Sequence, residues 1–304
     1  MTYETICIIG GGSIGSILAY YAYRGGAGHV IVYYGSMESV EAVKRNSGIT
    51  VTYNGVEYHV PVEPRHYRSP HGKCRFILNA VKAYQVENTV ELLRELSSSD
   101  SLILMLQNGF GSLEFIEEKF PYNHVAGAVV FIGAERVSRN HVIHHGGETI
   151  FAGCRKGFCS DLLELQNILR RGGCDFRVVS DIDFYRWLKL AVNAVINPLT
   201  AITRSKNKIV LTKPGKELAC MIIEEVVEAA RRNGYMLDPD RLYKIVLRNA
   251  MNTAENYSSM AQDIMSGRKT EVDYINGFIA KELDREYSIN NILVKIVHLI
   301  EEAK

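Results

Sequence analysis

The stretch Thr5-Ile6-Cys7-Ile8-Ile9-Gly10-Gly11-Gly12-Ser13-Ile14-Gly15-Ser16 decides how the first half of the chain folds. Its first five residues, mostly apolar and β-branched, read as a buried strand, and Ser13 to Arg24 carries the apolar spacing of a helix. Between them Gly10 to Gly15 fits GxGxxG after a strand and at the opening of a helix, the context that gives the pattern its meaning. Gly10 allows the tight turn, Gly12 lets the backbone approach a pyrophosphate with no Cβ in the way, and Gly15 lets the helix lie close on the strand. The helix N-terminus adds open N–H groups and a dipole that favours phosphate charge. Gly10, Gly11, Gly12, Ser13, Ile14 and Gly15 are therefore expected to hold a dinucleotide.

Working outward, Gly25 to Gly28 closes that helix and His29 to Tyr34 reads as a second strand. A site for NAD usually ends this strand in an acid that receives the ribose 2′-hydroxyl. Here it ends in Tyr33-Tyr34-Gly35-Ser36, with neither that acid nor an arginine. Small polar residues, with Lys44 and Arg45 downstream, leave room for a 2′-phosphate, so NADP is the expected cofactor, with NAD left open. Further strands are expected at Phe76 to Ala80, Ser101 to Leu106 and His124 to Phe131, with a helix from Glu87 to Leu96. Gly48 to Pro64 reads as a hairpin turned at Asn54-Gly55.

From about Ser180 the pattern changes to long segments of helical period, at Asp183 to Val195, Pro214 to Asn233, Asp238 to Asn252 and Glu271 to Glu286. Asp161 to Arg171 and Asn290 to Ala303 also read as amphipathic helices. The expected fold class is α/β: a Rossmann-type, doubly wound, mainly parallel sheet over residues 1–179, joined to an all-helical domain over residues 180–304. A length of 304 residues suits two such cores.

Composition narrows the partners. Lys plus Arg number 35 against 34 Asp plus Glu, so no charge excess points to nucleic acid or a membrane surface. The short apolar run at Ile6 to Ile9 ends at glycine, which suits neither a signal peptide nor a spanning helix, and cytoplasmic residence is the expectation. Six cysteines lack CxxC or Cys/His spacing, so no metal site is expected. Reduced structural thiols are anticipated, with a Cys154–Cys159 disulfide left open. The helical half carries more apolar surface than one small bundle buries, which suggests a homodimer.

Chemistry is expected in the helical half. Lys189, Asn193 and Asn197 recur every fourth residue in Trp187-Leu188-Lys189-Leu190-Ala191-Val192-Asn193-Ala194-Val195-Ile196-Asn197-Pro198, which puts them on one helical stripe among apolar neighbours. Unpartnered, such groups would each cost a few kcal/mol, roughly, and a bare ammonium more. A polar ligand would meet that need; so would amides that cross-link helices and a lysine that reaches water. A second polar segment runs from Asn256-Tyr257-Ser258-Ser259-Met260 to Lys269-Thr270-Glu271-Val272-Asp273-Tyr274-Ile275-Asn276-Gly277. There Thr270 reads as the N-cap of a helix, and Glu271 and Asp273 in its first turn would suit the helix dipole with no ligand at all.

Together these segments resemble the ketopantoate reductases, also called 2-dehydropantoate 2-reductases. The likeness spans the GGGSIG turn, Asn79-Ala80-Val81-Lys82-Ala83-Tyr84-Gln85, Gln107-Asn108-Gly109, KLAVNAVINPLTAI from Lys189, and NYSSMAQDI followed by KTEVDYINGF. The resemblance implies NADPH-dependent reduction of 2-dehydropantoate to pantoate, on the way to pantothenate and coenzyme A, in a cleft between a Rossmann domain and a helical domain. It implies Lys189 as general acid and Glu271 in catalysis and cofactor binding. It further implies Asn193, Asn197, Asn207, Asn256 and Ser259 at the substrate, and Lys82 and Asn108 on the cofactor side. Around Asn207 the run Arg204-Ser205-Lys206-Asn207-Lys208 departs from the family pattern.

The residue types fit that chemistry. Hydride attack on a ketone builds negative charge on oxygen, which a cationic donor both stabilises and protonates. Burial should lower the lysine pKa towards neutrality and a nearby Glu271 should oppose the shift, a balance the sequence leaves open. Asparagine and serine donate to a carboxylate or hydroxyl without burying another charge. Two alternatives remain at this stage: a reductase of the same fold for another 2-oxoacid, and a module that senses NADP(H) without turnover.

Overall fold

In the computed structural model, which describes residues 5–303, strand β1 (Thr5–Ile9) runs into the glycine turn and helix α1 (Ser13–Arg24), which returns the chain to β2 (His29–Tyr34). β1 lies parallel between β2 and β6 (Phe76–Asn79), so the chain leaves it in opposite directions on its two sides. That switch point opens a crevice at the carboxyl ends of the strands, where the Gly10 turn sits.

The chain divides into two units: residues 1–107 with 112–183, and residues 108–111 with 184–304. The first holds a ten-stranded sheet with β3 (Ile49–Tyr53), β4 (Val56–Val60), β5 (Glu63–His66), β7 (Leu102–Met105), β8 (His124–Ser138), β9 (His141–Gly153) and β10 (Asp175–Val178). Its order is β4-β3-β9-β8-β7-β6-β1-β2-β5, and β10 adds to β9. Pairing among the described residues is parallel except at β3–β4 and β8–β9. Helices α2 (Met37–Arg45), α3 (Val90–Leu96), α4 (Ser112–Lys119) and α5 (Asp161–Arg171) complete the unit.

Alternation along the strands splits the apolar side chains between two faces. Ile6 and Ile8 of β1 and Val30 and Val32 of β2 join α1 and α5 in one core, while Cys7, Ile9, Ile31 and Tyr33 join α3 and α4 in another. With helices on both faces, the strands are apolar on both sides, which explains their continuous apolar runs.

The second unit is helical: α6 (Ile182–Thr203, whose first turn carries the division), α7 (Lys213–Arg232), α8 (Pro239–Asn252), α9 (Ser259–Met265), α10 (Asn276–Leu283) and α11 (Ile289–Glu302). Trp187, Leu190, Ala194 and Val195 of α6 pack with Ile222, Ile223 and Val226 of α7 and with Ile279 and Val297 in a single core. Among the described residues, no helix is long and apolar enough to cross a membrane.

Several boundaries differ from the sequence expectation, each for a physical reason. The expected strand His124 to Phe131 runs on to Ser138, because β9 folds back on it as an antiparallel ribbon that the sequence did not announce. The helix expected to stop at Val195 continues through Pro198 to Thr203. The helix expected from Glu271 to Glu286 is broken: a 3₁₀ turn, Val272–Tyr274, precedes Ile275 at φ −105° and ψ −87°, and α10 ends at Asp284 in the left-handed region. The N-cap of that turn is Glu271, not the expected Thr270, whose hydroxyl accepts from the Val272 N–H at 3.3 Å. The expected hairpin turned at Asn54-Gly55 forms, with φ +50° and +77°, but it ends at Val60, and Pro64 lies in β5, which pairs with β2. The cysteines depart from the expected reduced state, since Cys154 and Cys159 are disulfide-bonded and so are Cys7 and Cys74, leaving Cys174 and Cys220 free. Spacing could not show the second bridge because its partners, Cys7 in β1 and Cys74 just before β6, are 67 positions apart.

Candidate active site

The candidate site residues of the first unit are arranged by backbone. Gly10 sits at φ +102°, and a Cβ there would lie 2.9 Å from the Ala80–Val81 peptide, so the loop after β6 lies directly against the turn. A Cβ on Gly15 would lie 1.9 Å from the Gly10 carbonyl oxygen, so helix and strand meet with no room for a side chain. Gly12 differs: a Cβ there would meet nothing within 4 Å. It is also the N-cap of α1, has an extended backbone, and is followed by a first turn with no acidic residue. The fold therefore does not need glycine at this position, but a group approaching the α1 N–H donors would. Gln107 braces the same edge by donating to the Asn79 and Val81 carbonyls at 2.8 and 3.1 Å, next to half-buried Lys82.

At the end of β2 the ring of Tyr34 lies against Gly11, and its buried hydroxyl has no hydrogen-bond partner. Ser36 then caps α2 by accepting from the Ser39 N–H. A guanidinium reaches α2 from the tip of the β8–β9 ribbon, where Arg139 donates to Ser39 at 3.4 Å and pairs with Glu38 at 2.8 Å. It stands 100 positions from Ser39, which is why local reading did not find it.

Those of the second unit are side chains. Asn193 and Asn197 are 7% and 4% exposed on α6, and Glu271 is 5% exposed at the head of the 3₁₀ turn. Asn108 joins two of them: Asn193 Nδ2 donates to Asn108 Oδ1 at 3.3 Å, and Asn108 Nδ2 donates to Glu271 Oε2 at 3.1 Å. Asn108 is held there because the Phe110 N–H donates to the Tyr274 carbonyl and Gly109, at φ +82°, lies too close to that carbonyl to carry a Cβ. Lys189 sits one turn before Asn193, half-buried, and burial pushes its ammonium down to about 8. This is the direction a proton donor working near neutral pH needs.

Sequence reading missed Arg186, 7% exposed, whose guanidinium lies 4.0 Å over the Phe110 ring and donates to the Gly109 carbonyl. An arginine one turn before Lys189 in an apolar run was the available signal. It also missed how α6 holds the Ser258–Ser259 segment. The Thr200 hydroxyl donates back to the Ile196 carbonyl and shares a 2.6 Å hydrogen bond with Ser258, which caps α9.

The remaining expected residues are placed less centrally. Ser259 and Asn256 are exposed. Buried Asn207 donates from Nδ2 to Thr253 and from its backbone to the Asn256 carbonyl, and its Oδ1 has no partner. The run around Asn207 that departs from the family pattern has a local use, since Lys206 and Lys208 both pair with Glu255. No group of three or more His, Cys, Asp or Glu suited to a metal occurs among the described residues.

A dinucleotide turn at a sheet switch point, followed by a helical unit with a lysine of lowered pKa and buried amides, defines an NAD(P)-dependent oxidoreductase of Rossmann type. Residues 6–157 match the family model described as ketopantoate reductase PanE/ApbA, and residues 181–301 match its C-terminal counterpart. A 2-dehydropantoate 2-reductase of Archaeoglobus fulgidus is 31% identical over 309 residues, covering 100% of both chains. One from Pyrobaculum aerophilum is 37% identical over 68% of each. Among solved structures, a probable 2-dehydropantoate 2-reductase from Bacillus subtilis has a TM-score of 0.77 at 28% identity, covering 99% of this chain and 100% of that one. D-mandelate dehydrogenase, solved with NADH and anilino(oxo)acetate, has a TM-score of 0.91 at 23% identity over 98% of both chains and shares the fold. The chain belongs to the ketopantoate reductase family.

Proposed function

We propose that the protein is a 2-dehydropantoate 2-reductase that reduces the 2-ketone to (R)-pantoate with NADPH. The carrying observation is the Lys189 ammonium, brought to about 8 by burial, one turn before the Asn193–Asn108–Glu271 chain. In this reading residues 1–179 bind the dinucleotide and residues 180–304 bind the substrate and supply the acid.

The open space at Gly12 and the α1 N–H groups fit a pyrophosphate, with Gly10, Gly11, Ser13, Ile14 and Gly15 shaping the turn and Lys82 beside it. When bound, the reduced nicotinamide supplies the hydride that the ketone carbon accepts. Lys189 donates to the ketone oxygen, stabilises its growing charge and delivers the proton. Asn193 and Asn197 hold the substrate through amide donors, with Ser259 and Asn256 donating to its carboxylate and the unpartnered Oδ1 of Asn207 accepting from a hydroxyl. Glu271 accepts from Asn108 and so fixes the amide that in turn accepts from Asn193. Arg139 and Ser39 favour NADPH over NADH, by offering a guanidinium and a hydroxyl for a 2′-phosphate. Exposed apolar side chains on α7 and α11, Met221, Ile292 and Leu299, favour a homodimer, which light scattering would test.

Initial rates with NADPH and NADH against 2-dehydropantoate and other 2-oxoacids test function and cofactor together. Cofactor oxidation on adding 2-dehydropantoate supports the proposal; oxidation with a different 2-oxoacid alone moves the activity to that substrate. Binding of NADPH with no turnover of any 2-oxoacid would leave the sensing alternative.

A further inference from the structure

α6 carries a proline at a position where a helix should lose a hydrogen bond. Pro198 has no N–H, so the Ala194 carbonyl, four residues earlier, has no donor within its own helix. Ala194 directly follows Asn193, and Pro198 directly follows Asn197. The joint therefore divides the stripe, with Lys189 and Asn193 before it and Thr200, which holds Ser258, after it.

The missing donor comes from another helix. Asn276, fully buried at the start of α10, donates from Nδ2 to the Ala194 carbonyl at 2.9 Å. Its second amide hydrogen goes to Asn290 Oδ1 at 2.8 Å. Asn290 donates from its own Nδ2 to Glu225 Oε2 at 2.7 Å, and Glu225 also accepts the Ile289 and Asn290 backbone N–H groups at the head of α11. This chain leaves one orientation for each amide. The carboxylate fixes Asn290 with its oxygen towards Asn276, and Asn276 must then face both acceptors with its NH₂. Asn276 Oδ1 has no partner, an arrangement that costs stability in a buried site and so marks the residue as held for its two donors.

We propose that Asn276 is a positioning residue that replaces the N–H Pro198 lacks, fixing the course of α6 across the proline and with it the spacing of Lys189 and Asn193 from Asn197. Asn276 lies five positions after Glu271, so the same amide ties the Glu271 turn to α6. The catalytic part of this inference rests on the proposed role of Lys189; the hydrogen-bond replacement does not.

The test is a cycle of Asn276→Ala and Pro198→Ala, singly and together, measured by steady-state kinetics and by thermal unfolding. Asn276→Ala should lower kcat by about tenfold to a hundredfold and raise the KM for the 2-oxoacid, with the KM for cofactor unchanged. Pro198→Ala returns an N–H to the Ala194 carbonyl, so it should restore at least about fivefold of kcat in the Asn276→Ala background and none in the parent. The unfolding temperatures should show coupling of the same sign. Additive effects in both measurements overturn the proposal, and coupling in unfolding without coupling in kcat overturns the positioning role. If Asn276→Ala alone does not fold, the double variant should; its failure to fold also counts against the proposal. A parent protein that turns over no 2-oxoacid would defeat the assigned reaction, and the unfolding cycle would still decide whether Asn276 substitutes for the proline N–H.

Discussion

Under the proposed function, the sheet unit and the helical unit would solve recognition with different parts of the chain. In the sheet unit, the Gly10 to Gly15 turn would work through backbone N–H groups and the absence of side chains, so its ingredients are contiguous. In the helical unit, the candidate groups are side chains gathered from Asn108, α6 and the Glu271 turn, and what joins them is hydrogen bonding across elements. The first kind of site can be lost by adding one carbon atom. The second can be lost by moving a helix.

The largest expected effect falls on the helical side. Lys189→Ala should lower kcat/KM by about 10² to 10⁴ fold while the cofactor still binds, as shown by fluorescence titration of NADPH. Loss of cofactor binding in this variant would break the division of labour between the units.

Next in size is a difference in stability. Both disulfides lie in the sheet unit, and among the described residues the helical unit has none. Loop closure gives about 4 kcal/mol for Cys7–Cys74, separated by 67 positions, and about 2 kcal/mol for Cys154–Cys159, separated by 5. Reductant should therefore cost hydrogen-exchange protection in β1 and β6 before α6. Equal loss in both units would show that they unfold as one.

A smaller effect separates what the fold requires of a glycine from what a ligand requires. Gly12→Ala should leave the unfolding temperature unchanged, because the added carbon meets nothing within 4 Å, yet raise the cofactor KM by about tenfold or more through crowding of the pyrophosphate. Gly15→Ala should lower stability as well, since its Cβ would lie 1.9 Å from a carbonyl oxygen. A cofactor KM unchanged in Gly12→Ala would remove the pyrophosphate from that turn.

The same contrast explains what could be read before the structure. β1, α1 and β2 fall on the residues expected of them because turn, cap and apolar period are local properties. The β8–β9 ribbon was missed because His141 to Gly153 becomes a strand by pairing with β8 and carries little apolar alternation of its own. α6 was ended too early because a proline normally ends a helix, and the donor that lets it continue, Asn276, is 82 positions from Ala194. Lys189, Asn193 and Asn197 were legible as one helical stripe. That Asn108 bridges Asn193 to Glu271, and that Arg139 reaches α2, depended on loops whose course only tertiary packing sets.

The smallest expected effect reports on Lys189 without removing it. A general acid works in its protonated form, and burial brings this ammonium from 10.5 to about 8. In the direction of ketone reduction kcat/KM should be flat below about pH 8 and fall about tenfold per unit above it, while oxidation of the alcohol should rise through the same range. Stability carries the same signature. Between about 8 and 10.5 the unfolded chain still binds a proton that the folded protein has released, so the Lys189 contribution to stability rises with pH across that window. Below it both states are protonated and the penalty of burying the charge is fully present. Lys189→Met should abolish this rise in urea unfolding measured from pH 7 to 10. A rise that persists in the variant would assign it to another group and would also remove Lys189 from the alkaline limb of the rate profile.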